Sequence, residues 1–431
     1  MADDNSNNLA VLGLKPATLR DEDSKRKRIP CPLDPKHTVF EDCLAKHLKK
    51  CNSKEKPKPV YYVKDINAGS IQEEENISDE VSIADRTKEE LDGLIQKVKS
   101  ALQGLNTKPN DAVLSHPALH EALNDPKNGN FAFKHLKQQA SLLGNMKDLG
   151  LLEPGRCYVE FGAGKGKLSH WIHVALQDAE NVHFLLVERC STRFKVDGKH
   201  QNTESTFDRL QVDIQHLDLS RVPVLREKGL PVIAVGKHLC GAATDLALRC
   251  LFEHSVTEKE PEPPLKRIKL QEGEEEIKAR GDVAVSGLSI ALCCHHRCDW
   301  RHYVGKDFFR EKGLGAEEFA ALQRMSSWAT CGMNRFSHDS KKSSQENVGM
   351  TDKDEEEEVE EHEGCNETES YHLSSALVSA DEREHVGRLC KLLIDHGRLH
   401  YLQQKGFKSS LRYYTSRDVS LENVLLTAVP Q

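Results

Sequence analysis

The stretch Val159-Glu160-Phe161-Gly162-Ala163-Gly164-Lys165-Gly166-Lys167-Leu168 decides how this chain folds. A hydrophobic run, Cys157-Tyr158-Val159, ends in a carboxylate and then in alternating glycines, the pattern of a strand feeding a tight turn and a helix. Gly162, Gly164 and Gly166 let the backbone turn sharply and bring a ligand against bare amides at the start of the helix, whose first N–H groups lack intrahelical partners. Such a turn in an α/β protein suits a nucleotide-like cofactor.

Spacing separates the ligands that compete for a turn of this kind. A dinucleotide fingerprint needs glycine at the sixth position from Gly162, which is Lys167. A phosphate-binding P-loop needs glycine at 161 and a hydroxyl residue after Lys167, positions held by Phe161 and Leu168. The surviving pattern, an acid followed by Gly-x-Gly-x-Gly, resembles motif I of the Rossmann-like S-adenosylmethionine (SAM) methyltransferases. The resemblance implies that Glu160 faces the amino-acid end of SAM. The run His183-Phe184-Leu185-Leu186-Val187 ends in Glu188, where an acid can accept both ribose hydroxyls, and Arg209-Leu210-Gln211-Val212 ends in Asp213, suited to the adenine amine.

The chain has 431 residues and 38% hydrophobic content, enough for a sizeable core and two to three domains. Its first residues lack a basic region followed by an apolar core, and its longest apolar run, near Val283 to Cys294, is too short to span a bilayer, so neither secretion nor membrane insertion is expected. Thirteen cysteines, an odd number, suit reduced thiols and metal ligands in the cytoplasm or nucleus better than a disulfide framework. The net charge of −8 is concentrated: Asp354 to Glu363 alone holds eight acids and no lysine or arginine.

The opposite charge gathers near the N-terminus. Between Ser24 and Lys58, eleven Lys or Arg face four Asp or Glu around Cys31, His37, His47 and Cys51, spaced C-x5-H-x9-H-x3-C. Two cysteines and two histidines in so short a segment supply a closed tetrahedral shell for Zn²⁺, which replaces the core the segment cannot build. The stretch is similar to the CHHC zinc finger known from minor-spliceosome proteins, and its positive charge suits RNA phosphates.

The remaining organisation follows from periodicity. Residues 1–24 form a tail, 25–58 the finger, 59–130 a linker and helical segment, and 131–431 the methyltransferase domain. Insertions at 255–282 and 337–369 are charged or strongly acidic and expected to be disordered. The first of them contains Pro264-Leu265-Lys266-Arg267-Ile268-Lys269, a short candidate nuclear import signal. Thr87-Lys88-Glu89-Glu90 predicts a capping box ahead of a core helix from Leu91 to Leu105, and a second helix is expected over Phe133 to Met146. A fourth strand, Val232 to Val235, runs into Gly236-Lys237-His238-Leu239-Cys240-Gly241, and a fifth, Val283 to Leu292, into Cys293-Cys294-His295-His296-Arg297-Cys298-Asp299-Trp300-Arg301. A helix over Asp381 to Gln404 and a closing hairpin, Leu411 to Thr415 with Asn423 to Val429, complete the domain.

Together with the finger, the glycine turn and Ser326-Ser327-Trp328-Ala329-Thr330-Cys331-Gly332-Met333, these two strand ends resemble one family: the eukaryotic tRNA 2′-O-methyltransferases acting on nucleotide 4 of the acceptor stem. Where that family usually carries a further Cys/His finger upstream, residues 1–30 here contain neither cysteine nor histidine. The resemblance implies SAM and Zn²⁺ as cofactors, tRNA as partner and a ribose hydroxyl as nucleophile. A ribose hydroxyl must lose its proton as it attacks, so a positioned base is needed. Lys237 and His238, at the end of the fourth strand, are the first candidates and His295 the next.

Adjacent ligands on a strand point to opposite faces, which argues against a second metal site within Cys293 to Cys298. Arg297, Arg301, His302 and Lys306, interleaved with Trp300 and Tyr303, are expected to form a surface for phosphates and stacked bases. Two other classes stay open: a methyltransferase acting on protein or on a nucleobase, and an RNA-binding adaptor with an inert methyltransferase domain. The three strand-end acids speak against the latter.

Overall fold

The computed structural model describes residues 27–51, 57–69, 82–177, 179–190, 206–253, 283–330 and 377–431. The expected tail and both expected insertions, with the candidate import signal, lie outside the described residues. The chain divides into two compact units, Met1–Pro59 and Val60–Gln431.

In the first unit, strands β1 (Arg28–Cys31) and β2 (Asp34–Phe40) form an antiparallel hairpin, followed by helix α1 (Leu44–Lys50). Among the described residues there, only Cys31, Val39 and Cys51 are buried hydrophobic ones, too few to hold a fold by apolar contact alone.

The second unit begins with α2 (Lys88–Ala101), β3 (Asn110–Asp111), α3 (His120–Asn124) and α4 (Asn130–Asp148). Alternating strands and helices follow: β4 (Cys157–Phe161), α5 (Lys167–Ala175), β5 (His183–Glu188), β6 (Thr206–Gln211), α6 (Pro223–Lys228), β7 (Val232–Cys240), α7 (Ala242–Phe252) and β8 (Val285–Cys293). The chain closes with α8 (Lys306–Glu311), α9 (Ala316–Met325), α10 (Ala380–Gln404), β9 (Phe407–Tyr413) and β10 (Val424–Pro430).

The capping box at α2 is formed as expected, with Glu90 N–H donating to Thr87 Oγ1 and Thr87 N–H to Glu90 Oε2. The helix is shorter than its apolar pattern predicts. It ends at Ala101, and Leu105 packs on the core from a turn beyond Gly104, whose φ of +78° no helix accepts.

The strands form one mixed sheet in the order β3-β9-β10-β8-β7-β4-β5-β6. Strands β4 to β8 run parallel, and β10 lies antiparallel to both β8 and β9. Both faces are covered, as parallel sheets require. Val159 and Phe161 pack towards α2, α7, α9 and α10, while Tyr158 packs towards α4 and α5. The strand order turns back beside β4, with β5 on one side and β7 on the other, and in open α/β sheets such a switch point is where ligands bind, outside the carboxyl ends of the strands.

Trp300 and Tyr303 depart from expectation. Both are buried, at 5% and 0% exposure, among Phe309 and Phe319. They are core residues, and no base can stack on them. Alternation of basic and aromatic residues over 297–306 reflects one side of a loop facing the core, with Lys306 buried and set over the Trp300 ring.

Candidate active site and metal centre

The three glycines after β4 serve different ends. Gly164 has φ +48°, and a Cβ there would meet nothing within 4 Å, so its backbone is open to a ligand. Gly166 has φ +75°, and a Cβ there would lie 2.6 Å from Leu186 Cδ2 and 2.9 Å from Arg209 Nη2, so it is glycine for packing against β5 and β6. Gly162, at φ +65°, leaves room for Leu239. The turn is braced by Arg209, which donates to the Gly164 carbonyl at 2.9 Å.

Of the acids, Glu188 is the last residue of β5. Its Oε2 accepts from Gly164 N–H at 3.1 Å and its Oε1 from Cys190 N–H at 3.0 Å, and the side chain stays partly exposed. Asp213 is also half-buried; it caps a short 3-10 turn by accepting from Gln215 N–H at 3.0 Å.

Glu160 lies next to the end of β4. It is buried, and its Oε2 accepts from Ser169 N–H at 2.9 Å and from Ser169 Oγ–H, so it satisfies an orphan amide in the first turn of α5. Burial pushes its carboxyl up to about 7, against the pull of Ser169, Arg209 and Lys237. A carboxyl raised on folding binds its proton more tightly in the folded chain, so the associated stability is present at acidic pH and lost as pH rises from 4.5 to about 7. Glu160→Gln, which keeps an acceptor for Ser169, should flatten that decline. Denaturant melts at about pH 5 and about pH 8 check this, with the variant's advantage expected only at the higher pH.

At the end of β7, ladder pairing with β8 is interrupted between Gly236 and Leu239. Lys237 leaves the ladder there, buried at 8% exposure, with its Nζ 2.9 Å from Nδ1 of His135 on α4. The side chain of His238 lies outside the described residues. His295 is placed in the core at 2% exposure, with its Nε2 2.8 Å from Asp395 Oδ1. Asp395 in turn binds Arg398 Nη1 at 2.9 Å, and Arg398 Nη2 binds Asp245 Oδ2 at 2.6 Å. Desolvation would raise the Asp395 carboxyl, but His295 and Arg398 outweigh it and hold it below its usual range. His295 thus belongs to a buried charge network joining α7, α10 and the loop after β8, away from solvent.

In the finger, Cys31, His37, His47 and Cys51 converge. The distances are 3.8 Å between the two sulfurs, 3.1 Å between the two Nε2 atoms, 3.2 Å from His47 Nε2 to Cys31 Sγ and 3.6 Å from Cys51 Sγ to His37 Nε2. A tetrahedral Zn²⁺ with ordinary Zn–S and Zn–N bonds needs edges of about 3.8, 3.3 and 3.6 Å, so the four donors fit that ion. Asp34 Oδ2, 3.6 Å from the other nitrogen of His37, orients the ring from outside.

Comparison with known proteins agrees with both units. The profile of the methyltransferase TRM13 family matches residues 137–429, and that of the U11-48K-like CHHC zinc finger matches residues 28–52. The chain is 57% identical over 426 residues to the mouse "tRNA:m(4)X modification enzyme TRM13 homolog", covering 95% of this chain and 88% of the relative. The human protein of the same name is 57% identical over 431 residues, with the same coverage. The Schizosaccharomyces pombe "tRNA:m(4)X modification enzyme TRM13" is 35% identical over 418 residues, covering 93% of this chain and 95% of the relative. The chain belongs to the TRM13 methyltransferase family. No solved structure matches it.

In this TRM13-family chain the residue that meets Lys237 is not marked in the sequence. His135 stands 102 positions before Lys237, on the half of α4 that reads as a solvated face, and no motif marks it. Its neighbour Phe131 is 51% exposed and edge-on to the His135 ring at 4.5 Å, an aromatic residue left in water that only the structure shows.

Proposed function

We propose that this chain is a SAM-dependent tRNA methyltransferase that methylates the ribose 2′-oxygen of nucleotide 4 in the acceptor stem. The observation that carries the chemistry is the Lys237–His135 pair, held where β7 leaves the ladder beside the glycine turn. The strand order, turning back beside β4 and closed by antiparallel β10, supports a Rossmann-like methyltransferase domain. The position and the tRNA substrate are supported by the relatives named above, which match nearly the whole chain.

The residues present suit SAM. Gly164 leaves open space against the backbone, Glu188 presents a partly exposed carboxylate to hydroxyl donors, and Asp213 offers an acceptor at the next strand end. When bound, SAM supplies a methyl group activated by its sulfonium. The chain's own task is to orient the ribose and remove its proton. The His135 imidazole nitrogen, 2.9 Å from the Lys237 Nζ, can take one proton from the ammonium, which frees an amine lone pair to accept the proton of the ribose hydroxyl. Phe131 offers an exposed ring on which a nucleotide can stack beside the pair. The finger adds phosphate contact through its basic residues.

No described helix is long and apolar enough to cross a membrane, and the eleven described cysteines are all free of disulfide bonds, which suits the nucleus or cytoplasm. The test is labelled SAM with bulk tRNA, followed by nuclease mapping. Label at the 2′-oxygen of nucleotide 4 is expected; label on a nucleobase or on protein overturns the reading.

Two further outcomes follow. Glu188→Ala should weaken SAM binding by about 2 kcal/mol through lost charge-assisted hydrogen bonds, measured by calorimetry. Unchanged affinity in a folded variant would remove Glu188 from the cofactor site. Cys31→Ser/Cys51→Ser should lose about one equivalent of zinc by elemental analysis and bind tRNA more weakly with a smaller salt slope, while the melting of the catalytic unit stays unchanged.

A further inference from the structure

We propose that Cys240, Cys293 and Cys294 form a second metal site, for a thiophilic divalent ion of the zinc class, where the carboxyl ends of β7 and β8 meet. The proposal is independent of the tRNA reading above and of the finger.

The site is built by register. Cys240, the last residue of β7, pairs with Cys293, the last residue of β8, so their side chains stand side by side on one face of the sheet. Their sulfurs are 3.2 Å apart. In a continuing strand Cys294 would point to the opposite face and could not join them, and for that reason the bare sequence argues against a shared ion. The backbone does not continue as a strand. Cys294 takes φ 48° and ψ 45°, the left-handed region, one of only three non-glycine residues at positive φ among those described.

That turn swings its side chain back, so that all three sulfurs lie within 4.8 Å of one another. A left-handed conformation crowds the β-carbon against the following carbonyl, and such strain gathers where function needs it. Two bonds hold the turn: Cys294 N–H donates to Glu422 Oε1 at 3.3 Å, and Arg297 N–H donates to the Cys294 carbonyl at 2.9 Å. Gly241 completes the approach, since a Cβ there would lie 2.4 Å from the Arg297 carbonyl oxygen.

Three thiols facing one another gain little, because S–H is a weak donor and sulfur a weak acceptor. A divalent ion changes this. It displaces three protons and binds three thiolates, leaving a net charge of −1 that the guanidinium of Arg297, near Cys240, offsets. A Zn²⁺ ion needs sulfur separations of about 3.8 Å, inside the range the three side chains span and equal to the separation in the finger. Three protein donors leave the fourth position of a tetrahedral ion to solvent. The ion would clip β7 to β8 three residues beyond Lys237.

The experiment uses the full-length Cys31→Ser/Cys51→Ser protein, in which the finger no longer holds metal. After dialysis against zinc it should retain about one equivalent, and after replacement by Co²⁺ it should show the near-ultraviolet sulfur-to-cobalt charge-transfer band of several thiolate ligands. Adding Cys240→Ser, or separately Cys293→Ser, should abolish the zinc or weaken its binding at least tenfold in a chelator competition. Less than about a tenth of an equivalent in the starting variant, or cobalt without a charge-transfer band, overturns the proposal. So does zinc that persists undiminished in both added variants, or a thiol count two short, which would show a Cys240–Cys293 disulfide in place of a metal. Because the starting variant is decisive by itself, misfolding of an added variant does not shield the proposal.

Discussion

Lys237→Ala should bind SAM and tRNA normally while kcat falls by about two to four orders of magnitude, the usual weight of a positioned general base. Single-turnover kinetics at saturating substrates read the effect without product release. His135→Ala should lower the same rate and move its pH profile, since the proton Lys237 gives up passes through a contact 2.9 Å long. His238→Ala is the comparison that decides between the two neighbours on β7. A loss that tracks His238 with Lys237→Ala nearly fully active would move the base one residue along the strand. Removing the lysine also removes a cation that pulls the Glu160 carboxyl down, so the variant should carry a Glu160 raised further.

Arg398→Ala should destabilise the catalytic unit by about 3–5 kcal/mol, because it removes the cation that Asp245 pairs with in the core and leaves Asp395 with His295 alone. The guanidinium is 1% exposed and holds Asp245 through Nη2 at 2.6 Å and Nε at 3.2 Å, and Asp395 through Nη1 at 2.9 Å. A loss of this size shifts Tm by on the order of 10 °C. Arg398→Lys should recover little, since an ammonium cannot span both acids as the planar fork does. The sign of the pH dependence separates charge from packing. In the wild type, Asp395 is held low and its contribution is present above the ordinary carboxylate value and lost as pH falls below it. In the variant, the acids left without Arg398 take up protons as pH falls, so the gap between the two proteins should narrow from about pH 7 to about pH 5. A gap constant with pH would mean that the cost is lost packing.

Much of this protein was legible in the order of its residues. The glycine turn, the strands ending at Glu188 and near Asp213, the capping box at Thr87 and the four donors of the finger are local patterns. Each is decided within a few residues by turn geometry, alternation or metal-ligand spacing. Boundaries shifted by a few residues where tertiary contact outweighs pattern: β8 runs to Cys293 because its ladder with β7 reaches Cys240, and the closing hairpin begins at Phe407 because β9 stays paired with β10 as far as Pro430.

What only the tertiary structure decided is where side chains go once elements distant in sequence meet. Glu160 is engaged by Ser169, because the first turn of α5 presents an unsatisfied amide to a buried carboxylate. His295 is taken into the core by Asp395, one hundred residues later, and Trp300 and Tyr303 by the aromatic side chains of α8 and α9. His135 is brought to Lys237 by the packing of α4 on the sheet, and Cys294 to Cys240 by a single left-handed residue. The sequence by itself determined the parallel strands, the capped helix, the glycine turn and the finger, since these depend on neighbours along the chain, whereas short elements such as β3 and α6 carry no such pattern. The companions of each charged group were decided by the sheet order, since burial makes an ion seek whichever partner the fold places within reach.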